Sequence, residues 1–217
     1  MSEKILGVIF DLDGVIVSTD NCHYLAWKRM ADEEGIEFDR EVNERLRGVS
    51  RMESLAIILE KAHKEYTDEE KQAMAARKNG YYVELIGSLT ENDILPGALD
   101  TLKLLKDKEI KVAIGSSSRN TPIILRQIGL SDAFDAVADG NAIKNSKPDP
   151  EVFLLAAKLL NLDPANCLVV EDADAGVQAA LAGNMRALGV GSAALNPTAT
   201  FAAENLEKAD FEAILKA

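Results

Sequence analysis

The sequence predicts an α/β fold: a doubly wound, Rossmann-like parallel sheet core with an inserted helical cap domain. Two observations carry this. Four short aliphatic or β-branched runs alternate with segments that have helical start and stop signals, and a single long stretch breaks that alternation with helices alone. Strand and helix alternating in this way give parallel strands joined by right-handed crossovers. In such sheets ligands bind beyond the carboxyl ends of the strands.

The expected strands are Ile5 to Phe10, Lys111 to Gly115, Cys167 to Val170 and Arg186 to Val190, each bounded by turn or polar residues. Among the core helices, Pro96 opens Gly97 to Lys108, Pro150 opens Glu151 to Leu160, and Asp174 to Leu181 ends at Gly183. The helical stretch runs from about Asn21 to Ser88. Within it His23 to Glu34 is closed by Gly35 and followed by Arg40 to Arg47, Met52 to Glu65 and Asp68 to Ile86. The last helix begins with a capping box, Thr67-Asp-Glu-Glu70. A helical block of ~70 residues is too long for an ordinary strand-to-helix connection. The expected division is therefore a core of residues 1–15 and 92–217 with a cap of residues 16–91. Linkers near 15–20 and 88–95 on one side of the cap would make it a hinged lid. The segment from Ser192 to Ala203 reads as a connecting loop and a short helix.

Composition narrows the function. The 217 residues include 24 Lys plus Arg against 36 Asp plus Glu, a net charge of −12, which argues against nucleic-acid or anionic-membrane partners. A phosphate ligand would need local cations. Cys22 and Cys167 are far apart and form neither a disulfide framework nor a CxxC zinc site. The N-terminal apolar run stops at Asp11, too short for a signal sequence, and no later run reaches membrane-span length. A cytoplasmic monomer is the default expectation.

Four features carry chemistry. Asp11-Leu12-Asp13-Gly14 follows the first strand, and strand alternation puts both carboxylates on one side of the chain. They suit Mg²⁺ plus nucleophilic or acid–base work, or form only an Asp-Gly turn with a capping Asp. Gly115-Ser116-Ser117-Ser118-Arg119-Asn120 precedes Thr121-Pro122, where a helix can start; this is a phosphate cradle or a Ser-rich cap. Lys147, between Asn145-Ser146 and Pro148-Asp149-Pro150, presents a fixed charge or is a solvated loop lysine. Glu171-Asp172 puts a second acidic pair at a strand end. Each is ordinary alone, but all four at the ends of predicted parallel strands or in the loops beyond them point to one site.

These residues resemble the four motifs of the haloacid dehalogenase superfamily, and the resemblance covers nearly the whole chain. Closer cues resemble its β-phosphoglucomutase family: Asp11-Leu-Asp-Gly-Val-Ile16, His23 with Trp27, Arg47-Gly-Val-Ser-Arg51 with Ser54, Arg77-Lys78-Asn79, Ser116 to Asn120 and Ser146-Lys-Pro-Asp-Pro150. The resemblance implies Asp11 as nucleophile and Asp13 as general acid and base. It implies Mg²⁺ held by Asp11, the Asp13 carbonyl and Asp172, with Glu171 in or beside the shell. Ser116 and Lys147 would bind the transferring phosphoryl group, and Arg51 the other phosphate with Ser118, Arg119 and Asn120. Arg47, Gly48, Ser54 and Lys78 would surround the sugar, and Val49, Ser50 and Ser117 complete the expected binding set. His23 would respond to lid closure near Asp13, and Thr19 would belong to the hinge.

The implied reaction interconverts β-glucose 1-phosphate and glucose 6-phosphate through an aspartyl-phosphate and a β-glucose 1,6-bisphosphate, which also serves as activator. The partner is a small sugar phosphate. A sugar-phosphate phosphatase using the same Asp11 chemistry and a non-catalytic receiver or sensor are the alternatives. Asp13 speaks against the sensor and against dehalogenation, where no leaving alcohol needs a proton. Departures from the family are Arg47 for a common Lys, Val17-Ser18 for a common Thr-Asp pair, and Gly115 for a common Ala.

Other residues read more plainly. His63 is a solvated helix residue, while Trp27 and the Tyr81-Tyr82 pair read as lid packing. Gly189-Val-Gly191-Ser-Ala-Ala194 matches a dinucleotide-binding pattern, but the 23 residues beyond it leave no room for the rest of that unit.

Overall fold

The computed structural model describes residues 4–46 and 49–217. Six strands form one parallel sheet in the order β3-β2-β1-β4-β5-β6. They are β1 (Gly7–Phe10), β2 (Lys111–Gly115), β3 (Ala136–Ala138), β4 (Cys167–Glu171), β5 (Arg186–Gly189) and β6 (Phe201–Ala202). The four expected strands are present. β3 and β6 lie outside the expectation because three and two residues leave no periodicity to read.

Strand alternation sorts the core. Val8, Phe10, Val112, Ile114, Leu168 and Val170 face one side, and Ile9, Ala113 and Val169 face the other. The second face packs under α7 (Glu151–Leu160) and α8 (Asp174–Ala182) through Phe153, Ala156, Val177 and Ala180. The first packs under α5 (Ala98–Asp107), α6 (Thr121–Gln127) and α9 (Phe211–Ile214). Strand order reverses at β1, so the crevice beyond β1 and β4 is the topological switch point.

Between β1 and β2 lie α1 (Asp20–Glu33), α2 (Arg40–Glu44), α3 (Arg51–Leu59) and α4 (Asp68–Ile86). Ser50 and Thr67 each close a capping box, with Glu53 and Glu70. The third helix ends at Leu59, short of the expected Glu65. Trp27, Met30, Phe38, Leu55, Ile58, Tyr66 and Met74 give this block a hydrophobic cluster of its own. The two chain passages into and out of it run side by side: Val17 bridges Ile94, and Leu95 N–H donates to the Ile16 carbonyl at 2.9 Å. Among the described residues no helix is long and apolar enough to cross a membrane.

Candidate active site

β1 delivers Asp11, whose amide donates to the Val170 carbonyl at 2.9 Å and so sits level with the end of β4. Gly14 then turns with φ +80°. A Cβ there would lie 2.1 Å from Asp172 Oδ2, so the missing side chain is what admits the Asp172 carboxylate. Oxygens of Asp11, Glu171 and Asp172 fall within 4.8 Å of one another, a set able to hold a cation. The Asp13 side chain is outside this cluster.

Lys147 enters from the loop before α7. Its Nζ donates to Asp11 Oδ1 at 2.6 Å and Glu171 Oε1 at 2.5 Å. Burial alone would lower its pKa, but the two carboxylates raise it above the ordinary lysine range, so it stays charged. Asp172 shows the opposite imbalance: burial, with Asp11, Glu171 and Asp13 beside it, pushes its pKa up to about 8. One ammonium cannot neutralise three carboxylates, and a divalent cation fits the remainder.

Asp13 points the other way. Its carboxylate accepts from the Thr19 hydroxyl and, at 2.7 Å, from the Thr19 amide. Burial raises its pKa to about 7, with the Thr19 hydrogen bonds opposing. A carboxyl with that pKa can hold or release a proton at neutral pH. His23 Nε2 is 3.6 Å from Asp13 Oδ2, and Lys78 Nζ is 2.9 Å from His23 Nδ1. Desolvation, Lys78 and Arg51 hold the His23 pKa well below its usual value, so the ring is neutral. Tyr82, expected as packing alone, also touches this group: its hydroxyl is 2.9 Å from Thr19 Oγ1 and its ring 4.1 Å from that of His23.

The loop after β2 forms the remaining wall. Ser116 Oγ accepts from the Ser118 amide and Ser118 Oγ from the Asn120 amide, both at 3.2 Å. Arg119 Nε donates to the Gly140 carbonyl, and Ser117 Oγ is buried without a hydrogen-bond partner among the described residues. Gly115 has a physical reason: a Cβ would meet Phe153 Cδ1 at 2.6 Å and Ile9 Cγ2 at 2.9 Å.

One cavity of about 600 Å³ is lined by Asp11, Asp13, Glu171 and Asp172 at its sheet end. His23, Val49, Ser50, Arg51, Ser54 and Lys78 also line it from the helical block, as do Ser116 to Asn120 and Lys147 from the core. Thr19 is buried behind Asp13. Ser50 Oγ is committed to its capping box, 3.3 Å from the Glu53 amide. Arg47 and Gly48 lie outside the described residues. Asn79, given no role by the resemblance, also lines the cavity, as does Trp27, whose ring lies 4.7 Å from Lys78 Nζ.

Residues 5–184 match the family model described as haloacid dehalogenase-like hydrolase. A β-phosphoglucomutase of Bacillus subtilis is 49% identical over 186 residues, 85% of this chain and 82% of the relative. A phosphorylated carbohydrates phosphatase of Thermotoga maritima is 35% identical, covering 80% and 79%. The crystal structure of a β-phosphoglucomutase from Clostridium difficile superposes with a TM-score of 0.91 at 45% identity, over 98% of this chain and 96% of that one. On the family match, the identities and the shared fold together, the chain belongs to the haloacid dehalogenase-like hydrolases and resembles the β-phosphoglucomutases among them.

Proposed function

We propose that this chain is a Mg²⁺-dependent β-phosphoglucomutase, interconverting β-glucose 1-phosphate and glucose 6-phosphate in the cavity between the sheet and the helical block. The observation that carries the reading is a single cavity with two unlike ends: Asp11, Lys147 and the acidic cluster at one, Arg51 with Asn120 and Arg119 at the other. A phosphatase needs only the first. A mutase whose intermediate carries two phosphates needs both. The names of the Bacillus and Clostridium relatives support the same reading.

Asp11 attacks phosphorus in line; the new carboxylate–phosphorus bond forms as the bond to the sugar oxygen breaks, and Asp13 gives that oxygen its proton. In the reverse half, Asp13 removes the proton from the other hydroxyl, whose oxygen takes the phosphoryl group from Asp11. Lys147 and Ser116 bind the equatorial oxygens. Asp11, the Asp13 carbonyl and Asp172 would hold Mg²⁺, with Glu171 beside it, and the ion would supply positive charge to the transferring group. A β-glucose 1,6-bisphosphate molecule primes Asp11 by leaving one phosphoryl group on it and departing as a monophosphate, and the bisphosphate formed afresh from the substrate in each turnover turns end for end between the two halves. Residues 16–91 act as a lid on the core of residues 1–15 and 92–217, hinged at the paired passages near Val17 and Ile94. Ser54 and Lys78, which line the cavity, surround the sugar.

The test is a coupled assay for glucose 6-phosphate from β-glucose 1-phosphate with Mg²⁺ and a trace of the 1,6-bisphosphate, with free phosphate followed in parallel. Glucose 6-phosphate with almost no free phosphate is the expected result. Free phosphate dominating would replace the mutase by the phosphatase reading, and turnover retained in Asp11→Asn would remove Asp11 as nucleophile.

A further inference from the structure

Asn79 stands on α4 directly after Lys78, and no charge marks it. Its Oδ1 accepts two hydrogen bonds, from Arg51 Nη2 at 2.8 Å and from Asn120 Nδ2 at 3.0 Å. Arg51 opens α3 and Asn120 precedes α6, so one amide oxygen joins two helices of the helical block to the core loop after β2. The orientation follows from chemistry: a guanidinium only donates, so the Asn79 atom facing it must be the oxygen.

Arg51 is also short of negative charge. Desolvation and the neighbouring Arg119 push its pKa below the usual arginine value, and among the described residues its side-chain hydrogen bond goes to Asn79 rather than to a carboxylate. A carboxylate in that place would hold the guanidinium as firmly and cancel its charge. An amide oxygen orients the group and leaves the charge for a ligand. Asn120 is 8% exposed and its backbone amide is already taken by Ser118 Oγ, so its side chain has little freedom once Asn79 holds it.

We propose that Asn79 is a positioning residue for the non-reacting phosphate: it holds Arg51 and Asn120 as a preformed pair of donors and ties the helical block to the core at that end of the cavity. Fixing the donors before binding removes ordering cost from the complex, and a neutral acceptor preserves the cation. The inference rests on reading the Arg51 end of the cavity as the second phosphate site.

The experiment compares Asn79→Asp, Asn79→Ala, Arg51→Ala and the Arg51→Ala/Asn79→Asp double variant for KM and kcat on β-glucose 1-phosphate, with thermal melting alongside. Asn79→Asp keeps the shape and both hydrogen bonds, so its melting temperature should match or exceed the parent's. Its KM should nevertheless rise about tenfold or more, beyond that of Asn79→Ala, because the new charge neutralises Arg51. In the Arg51→Ala background the Asp substitution should add no more than about twofold, since coupled sites are not additive. A purely structural Asn79 gives the reverse order, with Ala worse than Asp, and that result overturns the inference. If Arg51→Ala raises KM while Asn79→Asp does not, the inference alone fails. If Arg51→Ala leaves KM unchanged, the second phosphate site fails and takes the inference with it.

Discussion

Lys147 Nζ lies between Asp11 and Glu171, 2.6 Å from one carboxylate and 2.5 Å from the other, with both its partners and itself buried. It comes from a loop 136 residues after Asp11, so the contact is made only when the sheet has assembled. Removing one partner of a buried ion pair strands the other charge at a cost of about 3–5 kcal/mol. Lys147→Met should therefore lower the melting temperature sharply in chelator, with partial recovery in Mg²⁺, and should abolish acid-stable labelling of Asp11 by a small phosphoryl donor. An unchanged melting temperature would mean that the acids are already neutral without Lys147.

Gly176 controls the same cluster from behind. It is a helical residue of α8, and a Cβ built on it would fall 1.9 Å from both Cδ and Oε1 of Glu171. The helix approaches the carboxylate so closely that only a hydrogen fits between them. Gly176→Ala gains helix propensity of about 1 kcal/mol and should still destabilise the protein by about 1–3 kcal/mol through overpacking. Glu171 would be displaced from Lys147, so activity should fall further than stability does. Wild-type kcat/KM in a folded Ala variant would show that Glu171 has room to move without consequence.

The acidic cluster also predicts a response to metal. Asp172 is raised to about 8 by burial and by the neighbouring acids Asp11, Glu171, Asp13 and Asp20, a penalty that a bound dication relieves. Mg²⁺ at a hundredfold excess over its Kd should stabilise the fold by about 2.7 kcal/mol by mass action. Asp172→Asn should lose that increment while melting as high as the parent, or higher, in chelator. If Mg²⁺ moves both melting curves equally, it binds elsewhere.

The legible parts of this protein are those with local signals. Asp11, Lys147 and Glu171 each close or follow a strand or proline turn that composition and periodicity mark out, and the helices Glu151–Leu160 and Asp68–Ile86 match their expected limits. β3 and β6 escape because edge strands of three and two residues carry no pattern. Tyr82 and Asn79 escape for a different reason. Their partners, Thr19 and Arg51 with Asn120, are 63, 28 and 41 residues away, so nothing in the local sequence separates a cavity-lining amide or phenol from a surface or packing one. The third helix stops at Leu59, and residues 60–66 form a turn that returns Tyr66 to the core, its hydroxyl donating to Glu34 Oε2 at 3.1 Å.

Lys78 gives a prediction whose sign is fixed by burial. It is 3% exposed, and desolvation followed by the Arg51 charge lowers its pKa to about 7, with Asp13 and Cys22 opposing. In the unfolded chain the same amine titrates near its ordinary value of about 10.4. Between those limits the unfolded state binds more protons than the folded one, so this group makes stability rise with pH through that window, by up to about 1.4 kcal/mol per unit. Below about 7 both states carry the charge and the full burial penalty is felt. Lys78→Met keeps length and removes the charge. Its stability relative to the parent should be greatest below pH 7 and should shrink steadily toward pH 10, and groups that do not interact with Lys78 titrate alike in both proteins and drop out of the comparison. Paired denaturant melts of the two proteins at several pH values measure it, and a constant difference across the range would show that Lys78 keeps its ordinary pKa beside His23.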